Sequence, residues 1–155
     1  MSAFRKPESL PKILVIEDDY DHLELLSYAL SKYAVSLRLA QSALAGWKIL
    51  QTEKIDLVIL DYSLPDLDGL TLLKRVRAAF MRRPVVMLTT HNERWLSEAA
   101  CRHGVNYLVH KTAVGGFLAK LGDIVAHELG LRKKSKPPSV MGVRDFEAFL
   151  QSAVN

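Results

Sequence analysis

The sequence predicts an α/β protein: one doubly wound, five-stranded parallel sheet with helices on both faces. Three observations predict it. Four short apolar runs do not alternate with polar residues, which suits strands buried on both faces. Helical stripes of apolar residues lie between these runs. Strand and helix alternate five times with short connections, the chain order of a parallel sheet with crossover helices.

The elements follow in order. Ile13-Leu14-Val15-Ile16 is the first strand. Leu23, Leu26, Leu30 and Tyr33 share one face of a helix over 20–33. Ser36 to Leu39 is a weaker strand, expected nearer an edge. Leu44, Trp47 and Leu50 mark the second helix, with Ser42 placed to cap it. Leu57-Val58-Ile59-Leu60 is the third strand, and Leu70, Leu73, Val76 and Phe80 mark the helix after it. Val85-Val86-Met87-Leu88 is the fourth strand. Trp95, Leu96, Ala99 and Ala100 mark a helix over 93–103 that Gly104 should end. Tyr107-Leu108-Val109 is the fifth strand. Phe117, Leu118, Leu121, Ile124, Val125 and Leu129 form the last stripe, closed by Gly130.

Composition bounds the rest. A chain of 155 residues, 49% hydrophobic and 25% charged, fits one ordinary globular domain and excludes a wholly disordered chain. The single cysteine, Cys101, excludes an intrachain disulfide and a CxxC metal site. No run of about 18 apolar residues occurs, so no membrane span is expected. Met1 to Pro11 holds no apolar run, so no signal peptide is expected, and the cytoplasm is the expected compartment. The net charge of +4 is unevenly placed: residues 12–130 carry 14 basic and 14 acidic side chains, and the excess lies in the tails. The division expected is a flexible segment over 1–11, the α/β domain over 12–130, and a basic linker with a short helix or tail over 131–155. Arg132, Lys133, Lys134, Lys136 and Pro137-Pro138 give the linker its character, and Phe146, Phe149 and Leu150 share a face in the segment 144–153. Nucleic-acid binding by the domain is not expected, because a basic face on a folded element is missing.

In an open α/β sheet, ligands bind beyond the carboxyl ends of the strands. The residues after the apolar runs are Glu17-Asp18-Asp19, Asp61, Thr89-Thr90 and His110-Lys111. Alone, each has an ordinary explanation: an acid there caps a helix, a threonine forms a turn, a lysine is solvated. Together they place acids, a hydroxyl and an ammonium at one pole. Two carboxylates about 4 Å apart repel by roughly 4 kcal/mol at an effective dielectric near 20, so the cluster calls for a cation. Oxygen ligands without thiolate or imidazole favour Mg²⁺, or Mn²⁺, over Zn²⁺.

The segments ILVIEDD, DLVILDYSLPDLDGL, VVMLTT and HKT resemble the receiver domain of two-component response regulators. The likeness covers 12–130, and Pro65 and Asp68-Gly69 fit the family's loop. It implies the flavodoxin-like (βα)5 receiver fold of chemotaxis-type regulators. It implies that Asp61 is the phospho-acceptor, loaded by a histidine kinase or phosphotransfer protein. It implies that Glu17, Asp18, Asp61 and the Ser63 carbonyl hold Mg²⁺, and that Thr89 and Lys111 bind the phosphoryl group. Asp18-Asp19 is the alternative acid pair. The fourth helix, fifth strand and fifth helix would then form the switching face, docking a downstream target, a fused output domain or a second copy as a homodimer.

Two positions depart from the family pattern. Thr112 follows Lys111 where proline is usual, and a cis bond before a non-proline costs about 2.5–4 kcal/mol. Leu108 stands where the switch aromatic is usual, with Tyr107 one residue earlier and so on the opposite face of a strand. Competing functions are weaker. An aspartate-nucleophile phosphatase commonly needs an acid two residues after the nucleophile, where Ser63 stands. No GxGxxG or GxxxxGK[ST] suggests a nucleotide site. A degenerate receiver acting as a phosphorylation-independent scaffold is the alternative. No enzymatic turnover is expected beyond self-phosphorylation and self-dephosphorylation.

Overall fold

The computed structural model describes residues 9–112 and 116–132. The five strands are β1 (Lys12–Ile16), β2 (Ser36–Ala40), β3 (Leu57–Asp61), β4 (Val85–Thr89) and β5 (Tyr107–His110). They alternate with α1 (Tyr20–Leu30), α2 (Ala43–Thr52), α3 (Gly69–Ala78), α4 (Arg94–Arg102) and α5 (Gly116–Leu129). All neighbouring strands are parallel, in the order β2-β1-β3-β4-β5. This is the flavodoxin-like order, whose direction of winding reverses between β1 and β3, and a crevice opens there at the carboxyl ends.

The apolar runs are buried for the expected reason: each strand packs on both faces. Leu14, Ile16, Val58, Leu60 and Met87 meet Leu50, Leu72, Leu73 and Leu96 on one side of the sheet. Ile13, Val15, Leu57, Ile59, Val86 and Leu88 meet Leu23, Leu26, Leu30, Leu121 and Val125 on the other. β3 and β4 are buried along their whole length. β2 is one of the two edge strands, with β5 the other, and its burial is less continuous than that of β3 and β4, which explains its weaker sequence signal.

Local chemistry sets the helix ends. Asp19 caps α1 by accepting from His22 N at 3.0 Å, Ser42 caps α2 from Ala45 N at 3.1 Å, and Asp68 caps α3 from Thr71 N at 2.7 Å. Three helices end in the Schellman pattern, in which the amide after the last turn reaches back five residues. In α4 the pair is Gly104 N to Cys101 O and Val105 N to Ala100 O; after α5 it is Gly130 N to His127 O and Leu131 N to Ala126 O. Both glycines have positive φ, 82° and 62°. In α3 the same pair is Phe80 N to Arg77 O and Met81 N to Val76 O, so Phe80 takes the glycine position at φ 57°.

That corrects the sequence reading of Phe80. It does not continue the buried stripe of α3; it ends the helix in the left-handed region and is 85% exposed. For a residue with a Cβ this conformation costs about 1–2 kcal/mol. Arg77 holds the turn in place by donating to Met81 O at 2.7 Å, Arg83 O at 2.9 Å and Gly104 O at 2.8 Å. α1 also stops earlier than its apolar spacing suggested, at Leu30, although Tyr33 is still buried. Its ring lies against Gly122 of α5, where an added Cβ would stand 2.8 Å from the Tyr33 hydroxyl. Leu44 and Trp95, read as buried, are both exposed. Thr112 follows Lys111 through a trans bond, as do all described residues. The predicted segment 144–153 and most of the linker lie outside the described residues.

Candidate functional site

Strand register assembles the site. Ile16 pairs with Leu60, so Glu17 emerges beside Asp61. Asp61 pairs with Leu88, and Thr89 with His110, so Lys111 emerges one step beyond Thr89. The Lys111 amide donates to Thr89 O at 2.8 Å, which extends that ladder.

Three carboxylates meet there. Oxygens of Glu17, Asp18 and Asp61 all lie within 4.8 Å of one another. Glu17 and Asp61 are buried, and Asp18 is exposed at the mouth. Asp19 turns away to cap α1, so the members of the acid run that share the cluster are Glu17 and Asp18. Lys111 Nζ bonds Glu17 Oε2 at 2.6 Å and stands 3.1 Å from Asp61 Oδ2, with its side chain only 7% exposed. Three carboxylates against one ammonium leave two negative charges, which a divalent cation with oxygen ligands would balance. The donor set therefore fits Mg²⁺ or Mn²⁺.

The electrostatics show the crowding. Burial pushes the Glu17 carboxyl up to about 7; the Lys111 hydrogen bond opposes this and the Asp61 charge adds to it. Burial also works against the Lys111 ammonium, but its bond to Glu17 and the Asp61 charge outweigh that and hold it above the ordinary lysine value.

The other residues singled out in the sequence lie on β4, the β3–α3 loop and β5. Thr89 is buried and its Oγ1 accepts from His91 N at 2.9 Å. Ser63 is exposed in the β3–α3 loop. Leu108 packs toward the α3–α4 side, whereas Tyr107 packs toward α5 and donates to Glu128 Oε1 at 2.6 Å. The one-residue offset between them does put them on opposite faces, as a strand requires.

Four features were not legible beforehand. The first is the Glu17–Lys111 contact, between residues 94 apart in sequence. The second is His22, whose Nδ1 lies 3.3 Å from Lys111 Nζ at the edge of the cluster. The third is Asp66, which accepts from Ala43 N at 2.9 Å and Leu44 N at 2.8 Å and so ties the β3–α3 loop to the start of α2. The fourth is Gly69: a Cβ there would stand 2.5 Å from Asp61 O and 2.9 Å from Tyr62 Cα. α3 can begin this close to Asp61 only without a side chain. Trp95 is exposed, and its ring sits edge-on to Tyr62, 6.4 Å between centroids; Tyr62 also meets His91 at 5.2 Å.

Comparison with known proteins agrees with the geometry. "Probable transcriptional regulatory protein SilR" of Salmonella typhimurium is 34% identical over 119 residues, 74% of this chain and 50% of that protein. The chain thus spans about half the length of this relative. In fold it is similar to a CheY-like response regulator receiver domain protein of Methanospirillum hungatei JF-1, with TM-score 0.68 and 22% identity over 77% of this chain and 97% of that one. It is similar also to the Mn(2+)-bound form of response regulator Rcp1, with TM-score 0.71 and 23% identity over 83% and 99% of the two chains. Among the described residues no helix is long and apolar enough to cross a membrane. The sequence profile of the response regulator receiver domain matches residues 13–120, and the chain belongs to that family.

Proposed function

We propose that this chain is a working receiver that takes a phosphoryl group onto Asp61 from a histidine kinase or phosphotransfer protein. The observation that carries the reading is the joining of Glu17, Asp18 and Asp61 with Lys111 Nζ only 3.1 Å from Asp61. An Asp61 oxygen attacks the phosphorus of a phosphohistidine. The P–N bond breaks, its electron pair leaves on the imidazole nitrogen, and an aspartyl phosphate remains. Glu17, Asp18, Asp61 and the Ser63 carbonyl would hold Mg²⁺, which would supply charge neutralisation for the transferred group.

The chain's own residues do the rest. Lys111 gives up one carboxylate contact to pair with a phosphoryl oxygen. Thr89 already accepts from His91 N, so its hydroxyl proton can be donated to another phosphoryl oxygen. Phosphorylation adds a charge of about −1.5 to −2 to an acidic pocket. Thr89 moves toward that charge and carries the start of α4 with it, so the responding face is α4, β5 and α5. Tyr107, held by Glu128, does not follow Thr89, so this coupling runs through the α4 loop. The protein is a regulator and not a turnover enzyme. Its target, output domain or dimer partner would dock on the α4–β5–α5 face.

The test is incubation with Mg²⁺ and acetyl phosphate, with Trp95 fluorescence and intact mass as readouts. An alkali-labile adduct that disappears in Asp61→Asn is expected. No adduct on the parent chain would favour the phosphorylation-independent scaffold.

A further inference from the structure

The pole opposite Asp61 carries features that phosphoryl chemistry does not use. A shallow, open groove of about 510 Å³ lies between the α2–β3 turn and the α3–β4 turn, with Lys54, Asp56, Phe80, Met81, Arg82 and Arg83 among its lining. A second groove of about 480 Å³ adjoins it through Lys54 and Asp56 and reaches Leu129 at the end of α5. Phe80 is the most exposed large apolar side chain among the described residues. It holds a left-handed conformation that the equivalent turns after α4 and α5 give to glycine. A bulky ring in such a conformation, at the wall of a groove, is the feature from which a contact site can be argued. Arg83 Nη1 is buried beside it with no hydrogen-bond partner among the described residues. A donor in that position calls for an acceptor.

We propose that the chain's own segment 144–153 docks in this groove. Three observations favour it over other occupants. Phe146, Phe149 and Leu150 stand at helical spacing, which would give the segment one apolar face. Asp145 and Glu147 flank that face and, with Arg144, give the segment a net charge of −1, against Lys54, Arg82 and Arg83 with Asp56 in the groove wall, a net of +2. The chain also leaves α5 beside the second groove, and the 14 residue-to-residue steps from Arg132 to Phe146 span at most about 46–50 Å when extended, against a radius of gyration of roughly 13–14 Å for a domain of this size. A tethered segment meets the groove at high effective concentration, which a second copy does not. The docking is independent of the chemistry at Asp61 and leaves the α4–β5–α5 face open.

The test places a nitroxide on Gln151→Cys in a full chain whose exposed Cys101 is replaced by serine. Amide NMR should show signal loss confined to the residues around Ile55, Phe80 and Arg82, with none at Thr89. The loss should vanish in Phe80→Asp, which alters an exposed side chain, and in the double variant Phe146→Ser, Phe149→Ser. Absence of localised loss, or its persistence in both variants, would overturn the proposal. So would equal loss when isotope-labelled chain without nitroxide is mixed with nitroxide-bearing chain, because the occupant would then be a second copy.

Discussion

At the carboxyl ends of the strands, three carboxylates and one ammonium are crowded where charge is costly. At the amino ends, a phenylalanine is held out in solvent in a conformation suited to glycine. Both poles give up local stability, but by different means. The first stores its cost in electrostatics, which a cation can relieve and a phosphoryl group would add to. The second stores it in backbone conformation and an uncovered ring, which only a packed partner can use. The contrast teaches that a receiver sheet can be specialised at both ends, and that the two ends answer to different perturbations.

The largest expected effect lies at the acidic pole. Lys111→Met leaves Glu17 and Asp61 buried without their ammonium. Removing one partner of a buried pair costs about 3–5 kcal/mol, so urea unfolding without Mg²⁺ should show a loss of that order. Mg²⁺ should recover a large part of it. An equal loss with and without Mg²⁺ would mean that the pocket's charge is not what a cation relieves. Asp61→Asn should act in the opposite direction: adduct formation is abolished while the metal-free fold is kept.

Next in size is Gly69→Ala. The new Cβ meets backbone at 2.5 Å and 2.9 Å, and backbone cannot move aside as a flexible side chain can. A cost of about 1–3 kcal/mol is expected from overpacking of this kind. Because the obstructing atoms belong to Asp61 and Tyr62, phosphorylation by acetyl phosphate should slow as well. A stability loss with an unchanged rate would show that the acceptor's position does not depend on the close start of α3.

The acidic pole was largely legible in the sequence. Residue types at strand ends are visible in a linear string, and a parallel sheet brings all such ends to one side. The run Glu17-Asp18-Asp19 remained ambiguous because any acid there can cap a helix; geometry separates them by giving the cap to Asp19. The Glu17–Lys111 bond was hidden because register between β1, β3, β4 and β5 creates it. The other pole was misread. Phe80 lies four residues after Val76, which is the spacing of a continued helical face, and no glycine or asparagine signals the turn. Arg77 supplies what the local sequence lacks, through bonds to the carbonyls of Met81 and Arg83.

Phe80→Gly sharpens the comparison from that side. It removes a left-handed strain of about 1–2 kcal/mol, while the extra freedom of glycine in the unfolded chain takes back roughly 0.5–1 kcal/mol. In the Phe146→Ser, Phe149→Ser background, where the segment no longer covers the ring, a net gain of about 1 kcal/mol is expected in urea unfolding, with phosphorylation unaffected. In the parent chain the gain should be smaller or reversed, because Phe80→Gly also removes the ring's contact with that segment; an equal gain in both backgrounds would mean that nothing covers the ring.

The smallest effect joins the two poles. β5 runs from Tyr107, near the second groove, to His110, beside the acidic cluster. Tyr107 donates to Glu128, and Glu128 lines that groove. Ionising Tyr107 would destroy the hydrogen bond and set a phenolate against a carboxylate, so the bond raises its pKa above the ordinary value, with burial and the Glu128 charge adding to the effect. A group whose folded pKa is raised contributes stability that is fully present below its unfolded pKa, about 10 for tyrosine. That contribution is lost as pH rises through the folded value. Tyrosinate absorbance, taken as the difference from Tyr107→Phe to isolate one of five tyrosines, should therefore show titration above 10. Glu128→Gln should bring it down toward 10, and the stability difference between the two proteins should be present at neutral pH and shrink as pH rises above 10. If Tyr107 titrates alike in both, the bond is not what ties β5 to α5. β5 would then be free to follow Thr89, and the switch would pass through the strand as well as through the α4 loop.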